Sequence, residues 1–431
     1  MLKKSILGIV TAVIIASLVI LLSSCGGSGI PKQMGVAGAN TYGYSTATDA
    51  SGNVYVAGYT EGGLDGNTLT GIVDFFLTKY NSHGTKVYTK QMGVAGASTY
   101  GQSVATDASG NVYVAGYTNG ALDGNTLTGL NDFFLTKYDS RGTKVYTRQM
   151  GVAGASTKGA STATDASGNV YVAGYTSGGL DGNTISTNFD FFLTKYDSSG
   201  TKVFTRMGGA NSTTSGMSTA TDANGNVYVA GTTVGLDGNT LTGIEDFFLT
   251  KYDSAGTKVY TRQMGVAGLI SYGDSVATDA SGDVYVTGRS LDLASPPNRS
   301  GFLAKYDSSG TMVYFKQLVG APYTLTFSRS VATDASSNVY VAGYTSDGLD
   351  GNTIPVNTLD FFLTKYDSSG TKLYTRQMGA AGTMTFGLST ATDATGNVYV
   401  TGYTNGGLGG NTLTGTQDFF LIKYDSTGTL R

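Results

Sequence analysis

The sequence predicts an all-β fold, a seven-bladed β-propeller with four antiparallel strands per blade. Each repeat unit contains four segments rich in β-forming residues, and no segment after the first 25 residues shows a helical period. The dipeptide Thr-Asp recurs seven times at spacings of 55 to 59 residues. Its aspartates are Asp49, Asp107, Asp165, Asp222, Asp279, Asp334 and Asp393.

The first unit shows how the four strands of a blade are predicted. The strands are expected at residues 44–49, 54–59, 75–80 and 86–92. Ala-Ser-Gly-Asn separates the first two, and Asn-Ser-His-Gly separates the last two, so both connections are predicted hairpin turns. The first strand reads Ser-(Thr/Val)-Ala-Thr-Asp in every unit, and such small residues suit the place where seven strands crowd around one axis.

The two ends of the repeat array predict a closed ring. The last unit stops at Leu430 and Arg431, before its fourth strand, whereas residues 30–35 match the end of a fourth strand. An N-terminal strand that completes the last blade closes a ring, and a linear stack has no need of that arrangement. The alternative is a solenoid, whose coils are usually shorter than these units. We therefore expect one propeller domain over residues 30–431.

Two segments of the repeat carry a family resemblance. They read Thr-Asp-Ala-Ser-Gly-Asn-Val-Tyr-Val-Ala-Gly-Tyr-Thr and Asp-Phe-Phe-Leu-Thr-Lys-Tyr-Asp-Ser-Ser-Gly. The units resemble the SBBP family of bacterial β-propeller repeats, which occur in exported and surface proteins, and the resemblance covers residues 30–431. It implies a propeller, but it brings no general activity and no catalytic residues.

The first 25 residues are typical of an export signal. Lys3 and Lys4 form a basic start, residues 6–22 are mostly apolar, and small residues precede Cys25. Leu-Ser-Ser-Cys at residues 22–25 resembles the lipobox of bacterial lipoproteins, which implies cleavage before Cys25 and lipidation of its thiol. We expect a signal peptide over residues 1–24, a lipidated cysteine and flexible tether over 25–29, and a membrane-anchored lipoprotein of the bacterial envelope, at the outer membrane or cell surface. The alternatives are an uncleaved anchor helix and an ordinary signal with a chance cysteine.

Composition excludes several function classes. The chain has 431 residues, with 27 basic and 30 acidic side chains, one His and one Cys. A near-neutral balance argues against a nucleic-acid partner, since backbone binding needs a basic surface. One Cys rules out a disulfide framework and a cysteine zinc cluster, and one His leaves little room for His-based catalysis. No cofactor is expected.

Most aspartates are predicted to be structural. Of the 28 aspartates, 24 occupy positions that repeat around the array, where a carboxylate that accepts backbone N–H groups fixes a tight turn. One repeated loop, Asp-Gly-Asn-Thr, offers the alternative of calcium, which prefers oxygen ligands. The weak calcium candidates are Asp65, Asp123, Asp181, Asp237 and Asp350.

Ten charged residues of the expected mature chain occupy positions where a charge does not recur from unit to unit. These ten residues are better candidates for function. Six of them fall between residues 274 and 329, in the fifth unit and the entry to the sixth. A loop at residues 291–300 also replaces the usual Asp-Gly-Asn-Thr loop there. The functional interpretation is a ligand or partner site, and the alternative is drift in a surface loop. The ligand-binding candidates are Asp274, Arg289, Asp292, Arg299, Arg329, Tyr44 and Gln102.

Geometry favours one face of the propeller. Loops from the fourth strand to the next first strand share a face with loops joining strands two and three, and both vary, whereas the hairpin turns of the other face are nearly constant. The residues just before the first-strand Ser should ring one mouth of the channel: Tyr44, Gln102, Ala160, Met217, Asp274, Arg329 and Leu388. Asp274 and Arg329 are then neighbours that either bind a polar ligand or pair with each other.

Aromatic residues and the single histidine can also be divided into predicted structural positions and candidate binding positions. Tyr55, Phe75 and Phe76 repeat and are predicted to be core, and His83 is predicted to be an exposed turn residue of the constant face. Aromatic residues predicted to lie in the variable loops are candidate binding contacts: Tyr42, Tyr100, Tyr272 and Phe386.

Three function hypotheses follow from these observations. The first is an exported, lipid-anchored module that binds an unknown protein or glycan, or acts as a scaffold, through the variable face. The second is a hydrolase or lyase that uses acidic residues at the channel mouth, although no catalytic residue can be assigned. The third is a purely structural envelope protein.

Overall fold

The computed structural model describes residues 31–431, except residues 187, 210–212, 293–298, 322–323 and 355–357. These residues form 28 strands. In chain order the strands are β1 Lys32–Met34, β2 Thr41–Thr48, β3 Val54–Thr60, β4 Asp74–Tyr80, β5 Lys86–Met92, β6 Thr99–Thr106, β7 Val112–Thr118, β8 Asp132–Tyr138, β9 Lys144–Met150, β10 Thr157–Thr164, β11 Val170–Thr176, β12 Asp190–Tyr196, β13 Lys202–Gly208, β14 Thr214–Thr221, β15 Val227–Thr233, β16 Asp246–Tyr252, β17 Lys258–Met264, β18 Leu269–Thr278, β19 Val284–Asp292, β20 Arg299–Tyr306, β21 Met312–Leu318, β22 Thr326–Thr333, β23 Val339–Thr345, β24 Asp360–Tyr366, β25 Lys372–Met378, β26 Thr385–Thr392, β27 Val398–Thr404 and β28 Asp418–Tyr424.

Seven four-stranded antiparallel sheets confirm the predicted propeller. Blade 1 is β2 to β5, the following blades take the next four strands in turn, and blade 7 has the order β26, β27, β28, β1. The helical elements found in the described ranges are 3₁₀ turns at Leu64–Gly66, Leu122–Gly124, Leu180–Gly182 and Leu349–Gly351. The first strand of each blade, here called the inner strand, begins about three residues earlier than predicted: β2 starts at Thr41 rather than at residue 44.

The core lies between the blades. Alternate residues of β3 and β4 face opposite neighbours, so Tyr55 and Phe75 pack against blade 2, whereas Val54 and Phe76 pack against blade 7. Phe75 stacks on Phe134 with ring centroids 5.1 Å apart, and this stack recurs between other blades. Both faces of these strands are therefore apolar and fully buried, as sheet-on-sheet packing requires.

Two circles of hydrogen bonds tie the inner strands together. Each inner-strand Ser accepts a backbone N–H from the next blade at 3.0–3.2 Å, from Ser45 around to Ser389. Each inner-strand Thr, such as Thr48, donates its hydroxyl to the preceding blade's carbonyl at 2.6–2.8 Å. Both circles include all seven blades, so the small inner residues supply hydrogen bonds as well as space.

Both ends of the described chain contribute to the outer edge of blade 7. Residues 32–34 pair with residues 419–421 of β28, and Gln33 donates to the carboxylate of Asp418 at 3.0 Å. At the other end of β28, Leu430 forms an antiparallel bridge with Tyr424. The predicted ring closure by an N-terminal strand agrees with this sheet, and the C-terminal residues extend the same edge.

Candidate functional site

A β-bulge in every inner strand creates the candidate site. The pairing register between the inner strand and the second strand skips one residue at the same place in all seven blades. A bulged residue leaves the ladder, and its side chain is aimed away from the regular alternation. The skipped residues are the seven predicted mouth positions, and each is partly buried as a whole residue: Tyr44, Gln102, Ala160, Met217, Asp274, Arg329 and Leu388.

Asp274 lies beneath two arginines. Arg289 Nη1 donates to both carboxylate oxygens of Asp274 at 2.9 Å, and Arg329 Nη1 donates to Oδ1 at 3.0 Å. The side chain of Asp274 is 2% exposed, whereas those of Arg289 and Arg329 are 18% and 25% exposed. Both arginine side chains are therefore partly exposed, and the carboxylate that orients them is covered.

The electrostatics of this cluster leave a positive surface. Burial raises the pKa of the Asp274 carboxyl, and the charge of Arg329 opposes that rise. Asp274 in turn raises the pKa of the Arg329 guanidinium against the effect of burial. Two guanidiniums at 2.9–3.0 Å keep the carboxylate ionised at neutral pH, so the cluster carries one net positive charge.

The two arginines line a cleft of about 300 Å³, here called the arginine cleft. Its other lining residues are aromatic or aliphatic, and none is acidic. The lining residues are Tyr44, Arg289, Phe327, Arg329, Tyr344, Phe386, Leu388 and Tyr403. The volume lies at the lower end of the range for small-molecule sites.

Eight aromatic rings continue from this cleft around the mouth and are here called the aromatic arc. Successive ring centroids lie 4.7–5.6 Å apart. In order the rings are Phe327, Tyr344, Phe386, Tyr403, Tyr42, Tyr59, Tyr100 and Tyr117. They alternate between an inner strand and the residue paired with it on the second strand, as in Tyr42 and Tyr59.

A cation lies at each end of the aromatic arc. The Arg289 guanidinium lies 5.6 Å from the Phe327 ring centre, and Lys158 Nζ lies 4.8 Å from the Tyr117 ring centre. Lys158 and Arg289 both belong to the off-repeat charges identified in the sequence. The arc ends at Tyr117 because Lys158 occupies the inner-strand position in blade 3, and in blade 4 Ser215 and Thr232 occupy the paired positions.

The structure brings four of the seven ligand-binding candidates together: Tyr44, Asp274, Arg289 and Arg329. Gln102 occupies the bulge of β6 and is not among the residues lining the arginine cleft. Asp292 ends β19, and Arg299 begins β20 as an exposed residue. Residues 293–298, between them, lie outside the described residues, as does Cys25 with the predicted signal and tether.

One sequence expectation about this face needs correction. Tyr42, Tyr100, Tyr272 and Phe386 are the second or fourth residues of inner strands rather than loop residues, because those strands start earlier than predicted. The continuous arc was also not predicted. A signal was present in the paired positions, which are aromatic in both strands of blades 1, 2, 6 and 7.

The repeated aspartates have structural partners. Asp49 accepts the backbone N–H groups of Ser51 and Asn53 and the Tyr55 hydroxyl, all at 2.9 Å, and this pattern recurs in the other blades. Fully buried Asp74 accepts two backbone N–H groups in the loop before β4. His83 is an exposed turn residue, as predicted.

The five calcium candidates each form an ion pair. Every one has a left-handed backbone, with φ between 52° and 56°, and contacts the lysine that begins the fourth strand of its own blade. The pairs are Asp65 with Lys86, Asp123 with Lys144, Asp181 with Lys202, Asp237 with Lys258, and Asp350 with Lys372. Across the described ranges, no three His, Cys, Asp or Glu side chains lie close enough to hold a metal ion.

Within the part of the chain that the structure covers, no helix has the length and apolar character needed to cross a bilayer.

Comparison with known families identifies the repeats. Five segments match the beta-propeller repeat family SBBP, at residues 32–65, 87–122, 145–181, 313–350 and 373–409. The chain therefore contains SBBP beta-propeller repeats. The matches leave residues 182–312 uncovered, and this stretch includes Asp274 and Arg289.

Two curated proteins are similar to this chain, and each is much longer than the part of it that aligns with the chain. The regulatory protein FlaEY of Caulobacter vibrioides is 25% identical, over 83% of this chain and 43% of FlaEY. The uncharacterized WD repeat-containing protein L264 of Acanthamoeba polyphaga mimivirus is 24% identical, over 50% of this chain and 22% of L264. The chain thus spans less than half the length of both relatives.

Solved structures agree on the fold. A chain of the mitotic checkpoint complex has a TM-score of 0.50 at 12% identity, over 97% of this chain and 99% of that one. The polysaccharide lyase Uly1 has a TM-score of 0.50 at 11% identity, over 89% and 90% of the two chains. At these identities the likeness establishes the propeller fold alone.

Proposed function

We propose that this protein is a binding module of the bacterial cell envelope, exported and held by a lipid on Cys25, which takes its ligand on the variable face of the propeller. One observation carries the proposal: two arginines, with side chains 18% and 25% exposed, and an arc of aromatic rings meet at the mouth of the channel on that face. Arginine and tyrosine are the side chains most enriched at binding hot spots.

The opposite face offers less to a ligand. Its hairpin turns repeat nearly unchanged, and their aspartates are satisfied within the turn, as in Asp139 with Arg141 and Thr143. The variable face also exposes single large aliphatic side chains, among them Ile72 at 62% and Leu130 at 65%. Variation of the loops on one face favours recognition there.

The two other hypotheses have weaker support. A hydrolase or lyase at the mouth needs an acidic group that reaches its substrate, yet Asp274 is covered and bound to two arginines. A purely structural protein has no need of the off-repeat cations at the mouth, and it is the outcome expected if the following test shows no binding.

Site-directed labelling tests which face binds. The fragment from Gly26 onward contains no cysteine, so one introduced cysteine carries one maleimide–polyethylene glycol adduct. Leu130→Cys places the adduct on the variable face and His83→Cys places it on the constant face, and both positions are exposed. We expect the unlabelled fragment to be retained by bacterial envelope preparations, the Leu130 adduct to abolish retention, and the His83 adduct to preserve it.

Two results would contradict the face assignment. Retention blocked only by the His83 adduct would move the site to the constant face. Absence of retention for every form, including unlabelled protein, would favour the structural hypothesis.

Lipidation is tested separately with the full chain. Expression with labelled palmitate in a Gram-negative host should label the wild type, and Cys25→Ser should lose both label and membrane attachment. A protein that stays in the membrane without label would support an uncleaved anchor helix instead.

A further inference from the structure

The arginine cleft has the charge needed for an anionic ligand. Its lining contains two guanidiniums and no carboxylate, and the one nearby carboxylate, Asp274, lies beneath them at 2% exposure. Of the guanidinium nitrogens, only Nη1 of Arg289 and Nη1 of Arg329 are engaged with the described residues. The donors of a guanidinium lie in one plane and match the oxygens of a carboxylate or sulfate group.

The surroundings narrow the class of anion. About 300 Å³ is far more than an inorganic phosphate fills, and the lining combines two arginines with three tyrosines, two phenylalanines and one leucine. Phe386 and Tyr403 stack at 4.7 Å, and Tyr344 lies 4.8 Å from Phe386. A pyranose ring has C–H faces that pack on aromatic rings, and it has hydroxyls that tyrosine hydroxyls bind. A charged sugar unit therefore fits both parts of the cleft.

The aromatic arc extends the site beyond one unit. Eight rings follow the mouth from Phe327 to Tyr117, and Lys158 provides a second positive charge at the far end. A row of aromatic residues with a cation at each end suits a chain of sugar units that carries repeated negative charges. An acidic peptide presents no such series of ring faces, and it needs backbone partners that the arc does not offer.

We propose that the arginine cleft and the aromatic arc together bind an acidic polysaccharide, with one uronate carboxylate on Arg289 and Arg329, successive sugar rings along the arc, and a second anionic group at Lys158. This inference rests on the proposed function and names its ligand class. Because the protein as a whole carries a formal charge of −3, attraction at this mouth is local rather than global.

Titration calorimetry on the Gly26 fragment tests the proposal directly. The probes are oligogalacturonates of two and six units, their methyl esters, which have the same rings without charge, and a sulfated oligosaccharide. Polyglutamate represents an acidic peptide. We expect the charged hexamer to bind, its methyl ester to bind at least tenfold more weakly, and added salt to weaken binding. Tighter binding of the sulfated chain would assign the anion as sulfate ester rather than uronate and overturn the uronate assignment.

Three substitutions locate the contacts. Arg329→Gln should weaken binding of both the dimer and the hexamer at least tenfold. Lys158→Gln should weaken the hexamer about threefold or more and leave the dimer unchanged, because only the longer ligand reaches the far end. Arg141→Gln removes an equally off-repeat charge from an exposed turn on the opposite face and should change neither. Unfolding midpoints of the three variants confirm that each is folded.

Failure of this inference is distinguishable from failure of the proposed function. If the Leu130 adduct blocks envelope retention but none of the oligosaccharides binds, the variable face is a binding face and the acidic-sugar assignment is wrong. Equal binding of ester and acid, or tighter binding of polyglutamate, would also overturn it.

Discussion

Ser337 has a left-handed backbone conformation, and glycine occupies the equivalent position in the other six blades. Its φ is 59°, and the equivalent turn position in the other blades is glycine at 74° to 82°, as in Gly52. A side chain in the left-handed region costs about 1–2 kcal/mol, which exceeds the entropy that glycine loses on folding. We predict that Ser337→Gly raises the free energy of unfolding by about 0.5–1 kcal/mol.

Urea unfolding measures that gain. The neighbouring Ser336→Gly is the matched control, since glycine there relieves no left-handed strain and should be neutral or destabilising. Equal effects of the two substitutions would show that the backbone of Ser337 is not strained.

Between the blades, some buried tyrosine hydroxyls have a hydrogen-bond partner and others have none among the described residues. Tyr113 donates its hydroxyl to Asp107 at 2.9 Å, whereas the hydroxyl of Tyr146, in the same blade, is buried with no partner among the described residues. Phe204 occupies the position of Tyr146 in blade 3, in contact with the next blade's turn at Gly256. The hydroxyl of Tyr146 therefore contributes nothing that Phe lacks.

We predict opposite outcomes for two Tyr→Phe substitutions in blade 2. Tyr146→Phe should be neutral or slightly stabilising, and Tyr113→Phe should cost about 1–3 kcal/mol because it removes a partner from a buried carboxylate. Thermal unfolding followed by circular dichroism distinguishes them. Equal destabilisation would mean that the Tyr146 hydroxyl has a bonding role.

At the scale of the element, the loop before the third strand and the start of the fourth strand vary together. Five blades have both an Asp in the Asp-Gly-Asn-Thr loop and the Lys that contacts it. The two blades without that Asp begin the corresponding segment with Met312 and Leu430 instead of Lys. In blade 7, a Cβ on Gly409 would lie 2.4 Å from Pro31 of the closing edge, which explains the glycine.

This pairing gives the carboxylate of each loop a cation from its own blade. We predict that excess EGTA leaves the unfolding midpoint unchanged, because the lysine already neutralises each carboxylate. Lys86→Met, which copies blade 5, should cost no more than about 1 kcal/mol because the pair is exposed. A midpoint that falls with EGTA and recovers with calcium would establish a calcium site at these loops.

The strands and the candidate residues of blade 5 could be predicted from the sequence more readily than the geometry of the channel mouth. The number of strands, the order of the blades and the burial of Tyr55 could be predicted because the same sequence pattern occurs in seven equivalent blades. The bulge at Asp274 and the first residue of each inner strand could not be predicted, since the alternation of side chains along a strand gives no sign of a skipped residue. Arg289 was selected for its charge, but its bidentate contact with Asp274 depends on the register that the bulge sets.

The ring as a whole is vulnerable to alkaline pH. Burial raises the pKa of many tyrosines, to about 12 for Tyr117, Tyr146, Tyr260 and Tyr374. Their unfolded pKa is 10.0, so the unfolded chain loses these protons first. Stability is therefore complete below pH 10 and is lost as the pH rises toward 12, at about 1.4 kcal/mol per pH unit for each tyrosine ionised only after unfolding.

Absorbance of tyrosinate at alkaline pH checks this prediction alongside circular dichroism. We expect most of the tyrosinate signal to appear cooperatively, at the same pH as loss of β-structure. A gradual titration centred near pH 10 in a protein that keeps its circular dichroism would contradict it.

The outer edge of blade 7 has a consequence for the order of folding. Gln33 and Asp418, which meet there, are 385 residues apart in the chain, whereas contacts within other blades join residues fewer than about sixty apart. During synthesis from the N-terminus, six blades are complete before the partner of β1 exists, so the circle is the last structure to form. The closure of the ring therefore reports on the integrity of both ends at once, because a chain that lacks either end leaves blade 7 without its complete outer edge.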